Sequence, residues 1–395
     1  MLLFELLTRV QFIMKKNFKY WTFYVYAALM LLISIYSFKK AEYNWDMLPY
    51  MAVILQHDGN NDIEKIHSQV YTIAKHSVSE QVFSKLIDPG SPYRKSVFTN
   101  PAAFSQQLPF YVVKPLYTRL CYLFYKCGLS LPKATAFPSA ISFFLISLLV
   151  YSWIGKYLPQ ITGFIFSILL MLSPFMLAAA KLSTPDLFSA LLLVAGIYSY
   201  VEMRSHDLPA LFLLLAIFAR LDNVIPVVLI SSAIFYIENR NIPARKYILF
   251  SIAVIASYFF VSWQASRFGW GVFYYPDFAT HLNPYYDIQK PFSLPGYLSL
   301  VKSQLMTGFY YSSLAIFVFL GCLLPWFSKM NAKNISVETF LSIAFLATII
   351  IRFILQPVIA DRFYVAYYIV ISVFVLKKYA LVRAGTNQYM EIKAH

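Results

Sequence analysis

Charge is what this chain has least of. Only 13% of its 395 residues are Asp, Glu, Lys or Arg, where soluble domains carry about 25%. With repeated long apolar runs and a mean hydropathy of +0.60, that deficit excludes an ordinary water-soluble protein and points to a polytopic membrane protein. Cysteine is also scarce. The three present, Cys121, Cys127 and Cys322, lie in or beside apolar stretches. Their spacing suits neither a disulfide framework nor a metal site, so they read as small apolar residues. The N-terminus has no short apolar core followed by a small-residue cleavage site, so no removable signal peptide is expected. Absent too are a glycine-rich phosphate loop and a Gly-x-Ser-x-Gly elbow. A soluble nucleotide-sugar or ATP site therefore has no support, and any donor is expected to arrive from the membrane. No pair of matching broken spans marks the two halves, which weakens a transporter reading.

What is present is aromatic and basic. Phe, Trp and Tyr make up 18% of the chain, as befits residues that favour membrane interfaces. The formal net charge is +15. Many of the basic residues fall in the terminal segments and the short loops between apolar stretches, where they set orientation and can attract anionic lipid headgroups. A nucleic-acid partner is not expected. A span needs about 20 apolar residues, and candidates lie near 18–38, 135–155, 161–180, 187–202, 208–221, 223–237, 247–264, 304–327, 335–355 and 363–376. The fold class expected is an all-α polytopic membrane protein of about ten transmembrane helices, one integral domain over 1–395. The short fifth and sixth stretches, split only by Leu221-Asp222-Asn223, can equally form one re-entrant unit.

Basic residues then assign the sides. Arg9, Lys15, Lys16, Lys19, Lys156, Arg204, Arg240, Arg245, Lys246, Lys329, Lys333, Lys377, Lys378 and Arg383 all fall on one side if both termini are cytoplasmic. The opposite side receives a first outer loop, 39–134, and a second, 265–303. Long loops are more often functional than connecting, so chemistry is expected outside. The first loop has helical periodicity. Ile63, Ile66, Val70, Ile73, Ala74, Val78, Val82 and Leu86 recur at steps of three and four, predicting one amphipathic helix, and 110–126 predicts a second. Either could lie in the interface plane. Between them Asp88-Pro89-Gly90-Ser91-Pro92 is turn chemistry.

Four ionisable residues converge on the outer membrane edge in this topology: Asp46 after the first span, Lys114 at the head of the second loop helix, Asp186 after the third span and Arg362 before the last. Charges at membrane depth are costly and commonly functional. Each also has a plain structural reading. Asp46 can be a helix N-cap, Lys114 can snorkel from an interfacial helix, Asp186 can cap the fourth span, and Arg362 can pair with Asp361. Arg220 and Asp222 can form a hairpin ion pair. His57, His67, His76 and His281 have no metal-ligand spacing. Asp58-Gly59-Asn60-Asn61-Asp62 lacks the full ligand series of a calcium loop and reads as a turn.

Lys114-Pro115-Leu116-Tyr117 resembles the Lys-Pro-Pro-Leu-Tyr motif of glycosyltransferases that use polyprenyl-phosphate sugars. It is followed by Leu123-Phe124-Tyr125-Lys126-Cys127-Gly128-Leu129-Ser130, an apolar span, Leu172-Ser173-Pro174 and Thr184-Pro185-Asp186. That order resembles the GT-C superfamily, in particular its lipid A aminoarabinose transferases and protein O-mannosyltransferases, over roughly the first 240 residues. The resemblance implies a GT-C-like bundle with juxtamembrane helices in the outer loop. It implies a catalytic aspartate matching Asp46, a second acid matching Asp186, and a phosphate-holding lysine matching Lys114, with Arg362 as an assisting arginine. The family often reads Asp-Glu where this chain has Asp46-Met47, and its motif has two prolines where this one has Pro115 alone.

The reaction so implied moves a sugar from a polyprenyl-phosphate donor to the hydroxyl of a glycan, lipid or protein acceptor, with inversion. Asp46 would act as general base, and Lys114 and Arg362 would stabilise charge on the leaving phosphate. Asp186 would position the acceptor or join Asp46 at a divalent cation; the paired carboxylates leave the metal open, and no other cofactor is implied. Trp270, Tyr274 and Tyr275 would stack on sugar faces or anchor the interface. The expected location is a bacterial inner membrane with the site on the periplasmic side. The competing functions are a transporter or flippase, or an O-antigen-type polymerase or ligase, for lipid-linked saccharides. A flippase would line a path through the spans with charge, whereas here the charges gather at one edge.

Overall fold

The computed structural model describes residues 2–238, 243–264, 293–308, 310, 312–327 and 336–394. Among these every regular element is helical, and the one extended pairing is an isolated parallel bridge between Glu42 and Leu182. Helix α1 (Leu2–Lys39) leads into seven short helices: α2 (Met47–His57), α3 (Ile63–Ser77), α4 (Glu80–Ile87), α5 (Pro92–Thr99), α6 (Pro101–Gln107), α7 (Pro109–Val112) and α8 (Pro115–Lys126). The remainder is a bundle: α9 (Leu131–Ile154), α10 (Gln160–Met171), α11 (Pro174–Lys181), α12 (Asp186–Val201), α13 (Asp207–Ala219), α14 (Val224–Ile237), α15 (Ala244–Gln264), α16 (Leu294–Ser303), α17 (Leu314–Phe327), α18 (Val337–Leu355) and α19 (Val365–Ala394).

Among the described residues, helix underlies most of each stretch expected to span, but ten full spans are not confirmed. Five helices are long and apolar enough to cross a bilayer, within α1, α9, α15, α18 and α19. The pair α10 and α11 adds a sixth if it is counted as one span bent by 56°. The bend falls at Leu172-Ser173-Pro174, where Pro174 opens α11 and cannot donate to the preceding turn. Helices α12, α13, α14 and α17 are apolar but shorter than a membrane is thick. Pro185 precedes α12 and Asp207 opens α13, so polar and proline punctuation truncates these elements.

Two hydrophobic cores form. One joins α1, α9–α15 and α17–α19 around residues such as Tyr26, Phe143, Trp153, Phe345 and Tyr368. The other belongs to the long loop over 39–134, where Met47 to Leu55 of α2 are buried without a break and α3, α6 and α8 pack round them through Ile66, Val70, Phe104 and Tyr117. The loop is thus a small helical domain. Of the large apolar side chains exposed in the described chain, only Leu123 falls between residues 40 and 130, whereas α1, α10, α15, α17 and α18 each expose several. That contrast is the imprint of a lipid-facing belt on the bundle and a watered surface on the loop domain. The single helix expected over 63–86 is corrected. It breaks at Val78, which is extended, and restarts as α4 with Ser79 accepting from the Val82 amide.

Contacts fix the ends of the bundle. At one end the Ser139 hydroxyl donates to the Thr184 carbonyl and Asn223 donates to Ser189. At the other, Trp153 and Lys156 reach Glu202, and Lys377 reaches Glu338 at 2.6 Å. The loop domain caps the first end.

Candidate functional site

The capped end gathers seven charged side chains. Asp46 lies in the turn before α2 at its N-cap position, yet its side chain makes no cap hydrogen bond. It turns away from the helix. Oδ1 accepts from the Tyr111 hydroxyl at 3.0 Å, and Oδ2 accepts from Asn44 Nδ2 and Arg362 Nη1, each at 3.0 Å. The helix-cap reading of Asp46 is therefore replaced by an ion pair 316 residues apart in sequence. Next to it, Met47 is fully buried. A carboxylate at that position would sit in the apolar core of the loop domain without a partner.

Arg362 is shared. Its Nε lies 3.6 Å from Asp186 Oδ2 while Nη1 holds Asp46. Asp186 is the first residue of α12 and is 5% exposed. Its other oxygen meets Arg220 Nη1 in a close ion pair. Arg220 also clasps Asp222 through two parallel bonds of 3.0 and 2.7 Å, the fork geometry suited to a guanidinium and a carboxylate. Asp222 in turn lies 3.0 Å from Arg352 Nη2. The result is an alternating ladder, Asp46, Arg362, Asp186, Arg220, Asp222, Arg352, that ties the loop domain to α12, the turn after α13, and α18.

Lys114 stands beside the ladder. It occupies the residue before Pro115, where proline disfavours helical backbone in its predecessor, and its φ and ψ of −125° and 56° lie outside the helix. Its ammonium donates to the Phe110 carbonyl at 3.0 Å and lies 4.8 Å from the Tyr111 ring centre and 5.4 Å from that of Tyr50. It does not snorkel outward. Burial pushes its pKa down to about 8, against the pull of Asp46. Burial alone would raise Asp46, but Arg362 and Lys114, with the Tyr111 bond, outweigh it and hold the carboxyl below its usual range.

The segment bearing Arg362 is fixed on both sides. Asp361 does not pair with Arg362. It accepts from the Ser313 amide at 2.8 Å and from the Tyr368 hydroxyl at 2.8 Å. The Ile359 amide donates to Gln304 Oε1 at 3.1 Å, in a π-helical turn over Gln304–Gly308.

Sequence reasoning thus brings Asp46, Lys114, Asp186 and Arg362 to one place, and the structure does the same. The Arg220–Asp222 pair is present but belongs to the ladder as well as to its hairpin. Arg352, Tyr111 and Asn44 were not expected. Arg352 had a signal: a lone cation in the apolar run Ile349-Ile350-Ile351-Arg352-Phe353-Ile354, where charge costs about 2.5–3.5 kcal/mol at mid-bilayer and needs a partner. Trp270, Tyr274, Tyr275 and most of the second outer loop lie outside the described residues. For a divalent cation, the donor set fits poorly. Asp46 and Asp186 both turn to Arg362, and no group of three or more His, Cys, Asp or Glu among the described residues is arranged to hold a metal. His57 meets the Thr118 hydroxyl at 3.2 Å and His67 the Val97 carbonyl at 3.1 Å, each in a local role.

Three carboxylates (Asp46, Asp186, Asp222) are outnumbered by four cations (Lys114, Arg220, Arg352, Arg362). The cluster can receive an anion beside a base. No family model, curated protein or solved structure matches the chain.

Proposed function

We propose that the chain is a membrane glycosyltransferase that moves a sugar from a polyprenyl-phosphate donor to an acceptor hydroxyl at the capped end of the bundle. The observation that carries this reading is that Asp46 and Asp186, two carboxylates from distant parts of the chain, flank one guanidinium, Arg362, with the Lys114 ammonium electrostatically coupled to Asp46. Such a site offers a base next to cations at the edge of an apolar belt, where a lipid-borne phosphate would present its sugar.

In the reaction the acceptor O–H gives its proton to Asp46 as the oxygen bonds to the anomeric carbon. The bond from that carbon to the phosphate oxygen breaks on the opposite face, and polyprenyl phosphate leaves with the electron pair. Lys114 and Arg362 bear the charge that builds on it. Attack opposite the leaving group inverts the anomeric centre. Oδ1 of Asp46 carries a single bond, from Tyr111, so a lone pair remains for the acceptor. Asp186 holds Arg362 and orients the incoming group. We place the site on the extracytoplasmic side of a bacterial inner membrane, with both termini cytoplasmic, on the basic residues of the short loops.

Mass spectrometry of lipid-linked sugars tests the reading. Cells lacking the chain should accumulate one polyprenyl-phosphate sugar, and plasmid-borne wild-type protein should clear it. An unchanged lipid-linked pool would contradict the assignment.

A further inference from the structure

Three guanidiniums surround one phenyl ring. The Cζ atoms of Arg352, Arg220 and Arg362 lie 4.4, 4.9 and 4.9 Å from the ring centre of Phe363. Like charges gathered this closely repel, and the arrangement holds only because Asp222, Asp186 and the ring face each offer them a negative partner. Arg352 contributes more than charge. An arginine in the last turn of α18 would ordinarily serve its own helix end. Here Nη1 donates instead to the Phe363 carbonyl at 3.0 Å, across to the turn that carries Arg362, while Nη2 faces Asp222. The residue is 5% exposed, so its direction is set by these partners and not by solvent.

We infer that Arg352, acting through Phe363, is a positioning residue that sets the Arg362 guanidinium for an anionic phosphate. This rests on the proposed function for the nature of the ligand. Arg352 does not reach Asp46 or Lys114; it fixes the backbone of the turn from one side as Asp361 fixes it from the other through Ser313 and Tyr368. Lysine at 352 would keep a charge for Asp222, but its donors sit on one nitrogen and lack the planar fork by which Nη1 and Nη2 of Arg352 reach the Phe363 carbonyl and Asp222 separately.

The test is a double-mutant cycle on the binding of undecaprenyl phosphate to the full-length protein in nanodiscs. Arg362→Met and Arg352→Met should each weaken binding, by about tenfold and about fivefold, and Arg352→Met should add less than about twofold in the Arg362→Met background. Arg352→Lys should fall between wild type and Arg352→Met and keeps the experiment informative if the methionine variant folds poorly. Phe345→Ala, a buried change two turns earlier in the same helix, reports on loss of packing and should leave affinity within about twofold. Equal losses from Arg352→Met with and without Arg362 would overturn the inference while leaving the proposed function in place. No binding of undecaprenyl phosphate to wild type would overturn the proposed function itself.

Discussion

The chemistry of the site turns on how each charge is partnered. Lys114 is the most readily titrated member, because burial brings its pKa to about 8. An anion that uses the Lys114 ammonium should therefore bind with full strength below that value and progressively less tightly as pH rises through it. Undecaprenyl-phosphate affinity measured from pH 6.5 to 9.5 should fall across this window in wild type, while Lys114→Ala should start weaker and lose most of the slope; a parallel slope in both would remove Lys114 from the phosphate site. Asp46 behaves oppositely, since its cationic neighbours keep it ionised through the same range. Much of this was visible in the residues themselves. Charges flanking apolar stretches were few enough to single out Asp46, Lys114, Asp186 and Arg362. Their partners were not visible, because pairing between Asp46 and Arg362 depends on how separate spans pack. Tyr111 and Asn44 carry no charge to mark them.

At the scale of elements, periodicity located helix more reliably than it located helix ends. Val78, Val82 and Leu86 stay in phase with Ile63 to Ala74 across the break, so the apolar stripe conceals it. What marks the break is the capping chemistry of Ser79, a local signal that the stripe outweighed. The start of α3 is held in the same way, with Asp62 Oδ1 accepting from the Glu64 and Lys65 amides at 3.0 and 3.2 Å. Replacing Asp62 by Ala should destabilise the loop domain by about 1 kcal/mol, read as a shift in denaturant midpoint. Undecaprenyl-phosphate affinity should not change, since α3 touches none of the charged ladder. A matching loss of affinity would mean that the loop domain and the ladder are coupled more tightly than their separate contacts imply. Proline marks two breaks that the stretches expected over 110–126 and 161–180 ran through: Pro115 at the head of α8 and Pro174 at the bend.

On the scale of the whole molecule, composition was sufficient for the helical class and for a lipid-embedded body, and the apolar belt on α1, α10, α15, α17 and α18 bears it out. Composition was not sufficient for span count. Mean hydropathy does not distinguish a full crossing from the shorter apolar helices α12, α13, α14 and α17, which owe their burial to neighbours. Sidedness follows from basic residues alone and is open to direct test. Glu80, exposed at the start of α4, can be replaced by Cys in a chain whose Cys127 and Cys322 are Ser. A membrane-impermeant maleimide should label it in spheroplasts without permeabilisation. Labelling only after permeabilisation would put the loop domain, and the ladder beneath it, on the cytoplasmic side.

The central claim is that Asp46 takes the acceptor proton in a transfer from a polyprenyl-phosphate sugar. It is tested most directly by the release of polyprenyl phosphate from donor lipid extracted from cells lacking the chain, incubated with purified protein and an acceptor-containing envelope fraction. Asp46→Asn, which keeps the shape of the side chain and its capacity to accept from Tyr111, should lower that release by about 100-fold or more with thermal unfolding and undecaprenyl-phosphate binding close to wild type. Release by the Asp46→Asn protein at the wild-type rate would contradict the account.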